Sequence, residues 1–323
     1  MRDRQTDKTN EKQAIFRLSP HGTVSPSFKY NTGKHSNPPK GAMKTDSSPA
    51  IVCLSGGMDS TSLLMNLLAE GRSVYGLSFD YGQKHRIELQ RLRSNLDYLA
   101  SHGLNVDCQT LDISMLGELF HSALTNDDWE VPTGHYEQDN MKATVVPNRN
   151  AIFASIAYGY ALSVALRKDS NVDFCLGVHS GDHAIYPDCR PEFYDAIYHA
   201  FTIGNWDSDK VHLHLPYLNA NKTIILQDAS QAIEKLGLDF DTVFKNTCTS
   251  YQPSADGRSH GLTGSDVERI LAFHEIGRQD PIEYVQPWEV VLEQALAMEK
   301  AYQSEVGAKA DSASHNCSNE NES

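Results

Sequence analysis

The sequence has few cysteines, and none of them is paired at a metal-binding or redox spacing. Its six cysteines are scattered singly over 323 residues, and no CxxC occurs. A disulfide-stabilised secreted domain needs several paired cysteines, and a zinc knuckle needs CxxC pairs. We therefore expect neither of these, and a reducing, cytoplasmic location fits this cysteine usage best.

Long apolar runs are also missing. The longest mostly apolar stretch, residues 151–166, is interrupted by Ser155, Gly159 and Ser163. It is shorter than the roughly 20 residues that a membrane-spanning helix needs. The stretch therefore predicts a buried helix, and we expect no membrane association. The polar, charged N-terminal segment lacks the apolar core of a secretory signal.

An excess of positive charge is absent as well. The net charge is −14, and residues 49–302 carry 18 Lys and Arg against 34 Asp and Glu. Proteins that bind nucleic acids use basic patches to displace counterions from the phosphates. We therefore expect a small-molecule substrate and no direct nucleic-acid partner. A small anionic ligand held by backbone amides remains compatible with this charge.

Composition divides the chain into four segments. Residues 1–48 are rich in Ser, Thr, Asn, Pro and Lys, and residues 303–323 are similar but acidic. Such segments bury too little apolar surface to offset the entropy of ordering, so we expect disordered tails. Between them the sequence predicts an α/β domain over residues 49–243 and a small C-terminal extension over residues 244–302.

Short β-rich runs alternate with helical stretches in the central part. Leu89, Leu92, Leu96 and Leu99 recur on one face of a predicted helix over residues 84–101. A second helical stripe over residues 225–236 stops before Gly237. The predicted strands are residues 50–54, 73–79, 105–111, 143–146 and 173–178. This alternation predicts a doubly wound, mostly parallel, Rossmann-like sheet, with ligands at the carboxyl ends of its strands.

The first predicted strand runs directly into Ser55-Gly56-Gly57-Met58-Asp59-Ser60, and a helix is predicted to follow. Adjacent glycines allow a sharp turn close to an anion, and the unpaired amides of a helix N-terminus favour negative charge. The loop therefore predicts a phosphate site. No GxxxxGK[ST] and no GxGxxG occurs, which excludes the two commonest nucleotide-binding loops. The alternative is a surface turn in which Ser55 and Ser60 cap the helix.

Two further polar strings follow predicted strands. In residues 80–85, Gln83 and Lys84 suit a carboxylate or a purine edge, although an ordinary helix entry has the same residues. In residues 146–150, Pro147 is expected to end a strand, and Arg149 offers a planar fork for a carboxylate or a phosphate. Polar residues beside an apolar helix are also common as simple caps.

The densest polar string covers residues 177–193, and a fourth, residues 214–222, ends at Lys222. The third string has two His, two Asp and a Cys, so it could hold a metal. However, Gly181 and Pro187 predict a loop, and the four-residue spacing of its histidines then does not place them on one helical face. A loop that presents carboxylates to a purine, with Arg190 and Phe193 as anchors, is the favoured interpretation. The alternative for Lys222 is an ordinary solvent-facing side chain.

The loop SGGMDS resembles the pyrophosphate loop S-G-G-x-D-S of the ATP pyrophosphatases. Together the strings resemble one family in that group, the 7-cyano-7-deazaguanine synthases of queuosine biosynthesis. The matching segments are LSGGMDSTSLL (54–64), DYGQKH (80–85), VPNRN (146–150), GVHSGDHAIYPDCRPEF (177–193) and the Pro-Tyr-then-Lys pattern of 216–222. The resemblance implies an adenine nucleotide alpha hydrolase-like fold. It also implies ATP-dependent conversion of 7-carboxy-7-deazaguanine and ammonia to the nitrile, through an adenylated carboxylate and an adenylated amide.

The resemblance also implies roles for individual residues. The triphosphate would be held by Leu54, Ser55, Gly56, Gly57, Met58, Asp59, Ser60, Thr61, Ser62, Leu63 and Leu64, with Asp59 placing Mg²⁺. The catalytic candidates are Lys84, Arg149, Lys222 and Asp182. The substrate would be bound by Tyr81, Gln83, Asn148, Asn150, His179, Tyr186, Asp188, Arg190 and Phe193. The resemblance further implies that this protein forms a homo-oligomer.

This chain departs from the family at a zinc site. Members usually carry four zinc-binding cysteines near the C-terminus, and the corresponding places here hold Ser250, His260, Thr263 and Asp266. Because structural zinc requires a closed set of four ligands, we predict that this chain binds no zinc. A capping box from Ser265 to Glu268 is expected to start the following helix instead. Hydrogen bonds from Thr263 and Ser250 are expected to tie the two loops together.

Two other functions remain open from the sequence. The first keeps the ATP chemistry but joins the deazaguanine acid to another amine, such as a protein N-terminus. The second is a non-catalytic nucleotide-binding module, which would be expected to show damage in the phosphate loop. SGGMDS is intact.

Overall fold

A computed structural model describes residues 48–319, apart from Asp127 and Ala184. The side chains of Asp182, of His183 and of residues 309–319 are not part of this description. Except for Ser48, the predicted N-terminal tail lies outside the described residues. Its predicted disorder therefore stays a prediction.

Five short strands form one parallel sheet. They are β1 (Ala50–Cys53), β2 (Val74–Asp80), β3 (Asp107–Asp112), β4 (Val172–Cys175) and β5 (Val211–His214). Their order across the sheet is β3-β2-β1-β4-β5, and Ala50 pairs with Val74 on one side and with Asp173 on the other. Ala50, Ile51 and Val52 are fully buried, as expected for a central strand covered on both faces. The predicted parallel sheet is confirmed.

Helices cover both faces of this sheet. They are α1 (Met58–Ala69), α2 (Ile87–Ser101), α3 (Arg149–Lys168), α4 (Pro191–Gly204), α5 (Lys222–Lys235), α6 (Phe240–Lys245), α7 (Gly264–Glu275) and α8 (Trp288–Asn319). Apolar residues of α1, α2, α5, α6 and α7 share one buried cluster with one face of the sheet. Residues of α3 and α4 pack against the other face. The predicted doubly wound architecture is confirmed, and Gly237 follows α5 with a φ of 68° as its predicted terminator.

One predicted strand is wrong. Residues 139–144 form a 3₁₀ helix, and residues 145–146 join no strand of the sheet. The Thr144 hydroxyl donates to the Met141 carbonyl at 2.7 Å, and the Val145 amide donates to the Lys142 carbonyl at 3.2 Å. These local hydrogen bonds compete with sheet pairing, despite the β-branched composition. The fifth strand is instead β5, which the sequence analysis did not predict.

Two expectations about the C-terminal region need revision. The capping box of α7 is formed by Thr263 and Asp266, two residues before the predicted pair. Helix α8 also covers residues 303–319 of the predicted acidic tail. The alanines in this segment favour helix. The boundaries between the predicted domains stay a prediction. Among the described residues, no helix has both the length and the apolar character needed to cross a membrane.

Candidate active site

A cavity of about 250 Å³ lies beyond the carboxyl ends of β1, β2 and β4. The sheet reverses its strand order between β1 and β4, because the chain leaves β1 for β2 on one side and later adds β4 on the other. Ligands of open α/β sheets bind at such a switch point. The cavity is lined by residues at and after the ends of β1, β2 and β4, by the first residues of α1, α3 and α5, and by Cys248, Thr249 and Tyr251.

The glycine loop after β1 is held tightly against neighbouring backbone. Gly56 has a φ of 86°, and a Cβ placed on it would lie 2.2 Å from the Glu88 carbonyl oxygen. Only glycine fits this position without moving α2. The Gly56 carbonyl in turn accepts a hydrogen bond from the Cys248 amide at 2.9 Å. The loop is thus supported by α2 on one side and by the segment after α6 on the other.

The serines of the loop bond to the loop itself. The Ser60 hydroxyl accepts from the Ser55 amide at 3.3 Å and lies 3.1 Å from the Ser55 hydroxyl. The N-cap of α1 is Gly57, and no side chain of the described residues caps the helix amides. The alternative in which Ser55 and Ser60 cap α1 is therefore not found. The first-turn amides of α1 lie at the cavity without a side-chain partner, an arrangement that suits an anion.

The matched segment 54–64 divides into two parts. Its residues on the cavity wall are Leu54, Ser55, Gly57, Met58, Asp59 and Ser60. Thr61, Ser62, Leu63 and Leu64 do not line the cavity and are all at most 2% exposed. Ser62 donates to the Met58 carbonyl at 2.9 Å. The second part of the segment packs α1 against the sheet, and Gly56 supports the loop from behind.

Lys222 is the centre of a buried charged cluster. Its Nζ lies 3.0 Å from Asp59 Oδ2, 3.0 Å from Glu268 Oε2 and 2.8 Å from His179 Nε2. Lys222 is the first residue of α5 and is 4% exposed. The preceding Asn221 caps that helix by accepting from the Ile224 amide at 3.0 Å. The helix start therefore aims the ammonium at the glycine loop, and Asp59 and Glu268 balance its charge.

Asp59 keeps one oxygen available. Burial acts to raise the pKa of Asp59, but the charges of Lys222 and His179 outweigh it and hold the pKa below its ordinary value. Asp59 is thus a carboxylate at neutral pH. Its Oδ2 faces Lys222, while its Oδ1 is buried and has no hydrogen-bond partner among the described residues. A carboxylate oxygen of this kind, beside a glycine loop and a helix N-terminus, is a ligand that fits Mg²⁺, which binds one or two carboxylates together with phosphates.

Arg149 lies at the start of α3, on the opposite face of the sheet from α1 and α5. Its Nη1 donates to the Tyr81 hydroxyl at 3.4 Å, and its guanidinium carbon lies 5.8 Å from the centre of the Tyr81 ring. Its Nε donates to Asn150 Oδ1 at 3.2 Å, and the Asn150 amide donates to Cys189 Sγ at 3.3 Å. Asn148, in the left-handed region with φ 59°, begins the helix that places Arg149 here.

Two titratable residues of the cavity, His85 and Glu88, were not predicted as site residues. Burial raises the pKa of Glu88 to about 8 and lowers the pKa of His85 to about 3. Both are therefore mainly uncharged at neutral pH. Glu88 Oε1 accepts from Gln83 Nε2 at 2.9 Å and lies 3.6 Å from His85 Nε2. Their three-residue spacing at the start of a helix is the sequence signal that could have paired them.

The predicted site residues divide into those that line the cavity and those that lie elsewhere. The predicted residues on the cavity wall include Arg149, Lys222, His179, Tyr81, Tyr186 and Asn150. Tyr194, which was not predicted, also lines the cavity, whereas its neighbour Phe193 does not. Gln83 is buried behind the wall, where it accepts from the Tyr81 amide at 2.9 Å. The Lys84 ammonium donates to the Trp129 carbonyl. The residues outside the cavity lining are Gln83, Lys84, Asn148, Asp188, Arg190 and Phe193. The side chain of Asp182 lies outside the described part of the chain.

The four places of the family's zinc ligands do not fit a zinc ion. The Ser250 and Thr263 hydroxyls donate to Asp266 Oδ2 at 3.1 and 2.6 Å, and Ser259 donates to Asp266 Oδ1 at 2.8 Å. Asp266 is 1% exposed, whereas His260 is exposed. Hydroxyls bonded to one carboxylate do not form a tetrahedral N/S ligand set. The predicted tie between Ser250 and Thr263 is present, and it runs through Asp266.

Comparison with known proteins identifies the family. The family model described as "Queuosine biosynthesis protein QueC" matches residues 49–277. The chain is 44% identical to 7-cyano-7-deazaguanine synthase 2 of Colwellia psychrerythraea over 72% of this chain and 97% of that protein. It is 41% identical to 7-cyano-7-deazaguanine synthase of Marinomonas sp. over 74% of this chain and 99% of that protein.

Among solved structures, the NMN synthetase from Francisella tularensis matches with 16% identity and a TM-score of 0.33, over 80% of this chain and 87% of that chain. This likeness adds nothing to the assignment. The family model and the two relatives decide the assignment: the chain belongs to the QueC family of queuosine biosynthesis proteins.

Proposed function

We propose that this protein is an ATP-dependent carbon–nitrogen ligase that converts 7-carboxy-7-deazaguanine and ammonia to 7-cyano-7-deazaguanine. One observation carries the proposal. The uncapped first turn of α1 and its glycine loop share a cavity with Lys222 and Arg149. A phosphate site and two cations in one cavity suit the activation of an acid by a nucleotide. The names of the relatives supply the substrate class.

The chemistry explains why the reaction needs ATP twice. A carboxylate is a poor electrophile, so its oxygen first attacks the α-phosphorus of ATP and releases pyrophosphate. Ammonia then displaces AMP, and loss of one proton gives the amide. The amide oxygen attacks a second ATP and again releases pyrophosphate. Loss of AMP and of the remaining amide protons gives the nitrile.

The α1 end of the cavity would bind the triphosphate. Gly57, Ser60 and the first-turn amides would receive the phosphates, and Lys222 would lie beside the pyrophosphate as it leaves. Asp59 would bind Mg²⁺ through Oδ1, and the ion, when bound, would supply further neutralisation of phosphate charge. Because Asp59 and Glu268 both lie at 3.0 Å from Lys222 Nζ, they fix the ammonium in place before ATP binds.

The α3 end of the cavity would bind the deazaguanine. Tyr81, Phe153, Tyr186 and Tyr251 line it, and Phe153 stacks on Phe79 with ring centres 4.2 Å apart. Such flat apolar side chains suit a purine-like ring. We propose small molecules as the substrates, whereas the predicted homo-oligomer stays a prediction.

The direct test is product analysis. The purified protein is incubated with ATP, ammonium and 7-carboxy-7-deazaguanine, and the mixture is analysed by mass spectrometry. We expect the free nitrile and AMP, both lost in the Lys222→Met variant. No AMP at any ammonium concentration would contradict the ligase assignment. A conjugate in place of the free nitrile would favour the alternative in which another amine is the acceptor.

A further inference from the structure

The cavity holds two cations whose surroundings differ. Lys222 lies at ion-pair distance from Asp59 and from Glu268. The hydrogen-bond partners of Arg149 are the Tyr81 hydroxyl and the Asn150 amide oxygen, which are neutral groups. Across the described residues, no carboxylate lies at ion-pair distance from Arg149. The charge of Lys222 is therefore balanced by carboxylates, whereas within the described part of the chain the charge of Arg149 is not.

Tyr81 and Glu88, two titratable groups near Arg149, do not balance its charge at neutral pH. Burial raises the pKa of Tyr81 to about 12, so this phenol stays protonated. Glu88 also lines the cavity, and the charge of Arg149 acts on it. Burial nevertheless holds the pKa of Glu88 at about 8, so this carboxyl is mainly uncharged at pH 7. A partly buried guanidinium without a counter-ion is costly unless an anion binds beside it.

The positions of Lys222 and Arg149 in the cavity indicate which anion binds beside Arg149. The phosphate loop and Lys222 belong to α1 and α5, on one face of the sheet, whereas Arg149 begins α3 on the other face. The triphosphate therefore binds beside Lys222 at the α1 end. The anion that binds beside Arg149 at the α3 end belongs to the other substrate. Tyr81 and Asn150 each hold one nitrogen of the fork, which fixes its plane for a planar anion.

We infer that Arg149 selects the carboxylate of the acid substrate, with Tyr81 and Asn150 as positioning residues that orient its guanidinium. This inference rests on the proposed function. It separates the two adenylation steps, because the acid carries a negative charge and the amide intermediate does not. Arg149 thus stabilises the bound acid more than the bound amide, and its loss affects the first half of the reaction more than the second.

The test measures the two half-reactions separately. Wild type and Arg149→Gln are each given ATP with either 7-carboxy-7-deazaguanine and ammonium, or 7-carboxamido-7-deazaguanine without ammonium, and AMP is measured. We expect Arg149→Gln to raise the KM for the acid roughly 10- to 100-fold, the range of a charge-assisted hydrogen bond. Conversion of the amide to the nitrile should change less than about threefold, and the KM for ATP should not change.

A matched control comes from the same helix. Arg167 is an exposed residue in the last turn of α3, with its guanidinium carbon 6.0 Å from the centre of the Tyr160 ring. Arg167→Gln should leave both half-reactions unchanged. Arg149→Lys, which keeps the charge but loses the fork, should recover part of the affinity for the acid. Calorimetric titration of the acid into each variant without ATP gives the same comparison if turnover is too slow to measure.

Three outcomes would overturn the inference. These are an equal loss with acid and amide, a rise in the KM for ATP in place of that for the acid, and unchanged binding of the acid by Arg149→Gln. A wild-type protein that converts neither the acid nor the amide would instead contradict the proposed function. The calorimetric comparison would still decide whether Arg149 binds the carboxylate.

Discussion

Lys222 Nζ lies 3.0 Å from Asp59 Oδ2 and joins the first turn of α5 to the first turn of α1. Both helix N-termini therefore face the same cavity, and each contributes one charge of the pair. We expect Lys222→Met to lower AMP formation by roughly 10²- to 10³-fold, the usual effect of removing one preorganised donor. Lys222→Arg should retain part of the activity. The measurement is the rate of AMP formation with the acid, ATP and ammonium, and a wild-type rate in Lys222→Met would exclude a catalytic role for this ammonium.

Glu88 should make stability depend on pH. Burial raises its pKa to about 8 in the folded protein, above the ordinary value of about 4.3 in the unfolded chain. The folded state thus binds more protons between these two values, so this carboxyl lowers the free energy of unfolding as the pH rises from about 4 to 8. Glu88→Gln removes this slope.

We therefore compare the free energy of unfolding of Glu88→Gln with that of wild type at two pH values. The variant minus wild-type difference should be larger at pH 8 than at pH 5, by on the order of a few kcal/mol. Urea unfolding of both proteins at the two pH values gives this difference directly. A difference between them that does not change with pH would show that the carboxyl is charged in the folded state.

Gly56 should not tolerate a side chain. Its φ is 86°, and a methyl group added to its Cα would lie 2.2 Å from the Glu88 carbonyl oxygen. Gly56→Ala therefore both strains the backbone and pushes α2 away. We expect a loss of about 2–4 kcal/mol in the free energy of unfolding, together with loss of activity. Gly71 is the matched control, since its φ is 76° but nothing lies within 4 Å of its Cβ position. Gly71→Ala should cost only about 1–2 kcal/mol, and equal losses would show that the contact with α2 has no effect.

Asp266 should stabilise the C-terminal region without a metal. It accepts hydrogen bonds from Ser250, Ser259 and Thr263 and completes the capping box of α7. Asp266→Ala should lower the free energy of unfolding by about 2–4 kcal/mol, because three buried hydroxyls lose their acceptor.

The same network predicts that EDTA leaves the unfolding midpoint unchanged. Elemental analysis of the purified protein should find no stoichiometric zinc. One equivalent of tightly bound zinc would overturn this prediction, whatever the effect of Asp266→Ala.

The sequence predicted best what is local. Gly56 and Gly57 between a β-rich run and a helical run were sufficient to place a tight loop between β1 and α1, and the leucines from Leu89 to Leu99 were sufficient for α2. Residues 143–146 were wrongly predicted as a strand, because the hydroxyl of Thr144 closes a local turn that composition does not reveal.

Tertiary partners were the part that could not be predicted. Glu268 belongs to α7, yet it reaches Lys222 at the start of α5, and no spacing in the sequence relates them. Likewise, the sequence around Glu88 predicts an ordinary charged side chain in the first turn of a helix. Its burial beside Gln83, which the sequence does not reveal, raises its pKa. The balance of charge around Lys222 thus depends on a contact between residues that are distant in the sequence.

The Cys248 amide, which donates to the Gly56 carbonyl, has one more consequence. The glycine loop lies near the beginning of the described chain. Cys248, whose amide supports the loop, is synthesised much later, and Glu268 is synthesised later still. During synthesis on the ribosome, the emerging α1 and its loop would therefore lack both the backbone partner of Gly56 and the second carboxylate of Lys222. Under the proposed function, nucleotide activation would therefore require nearly the whole matched region, residues 49–277, to be made.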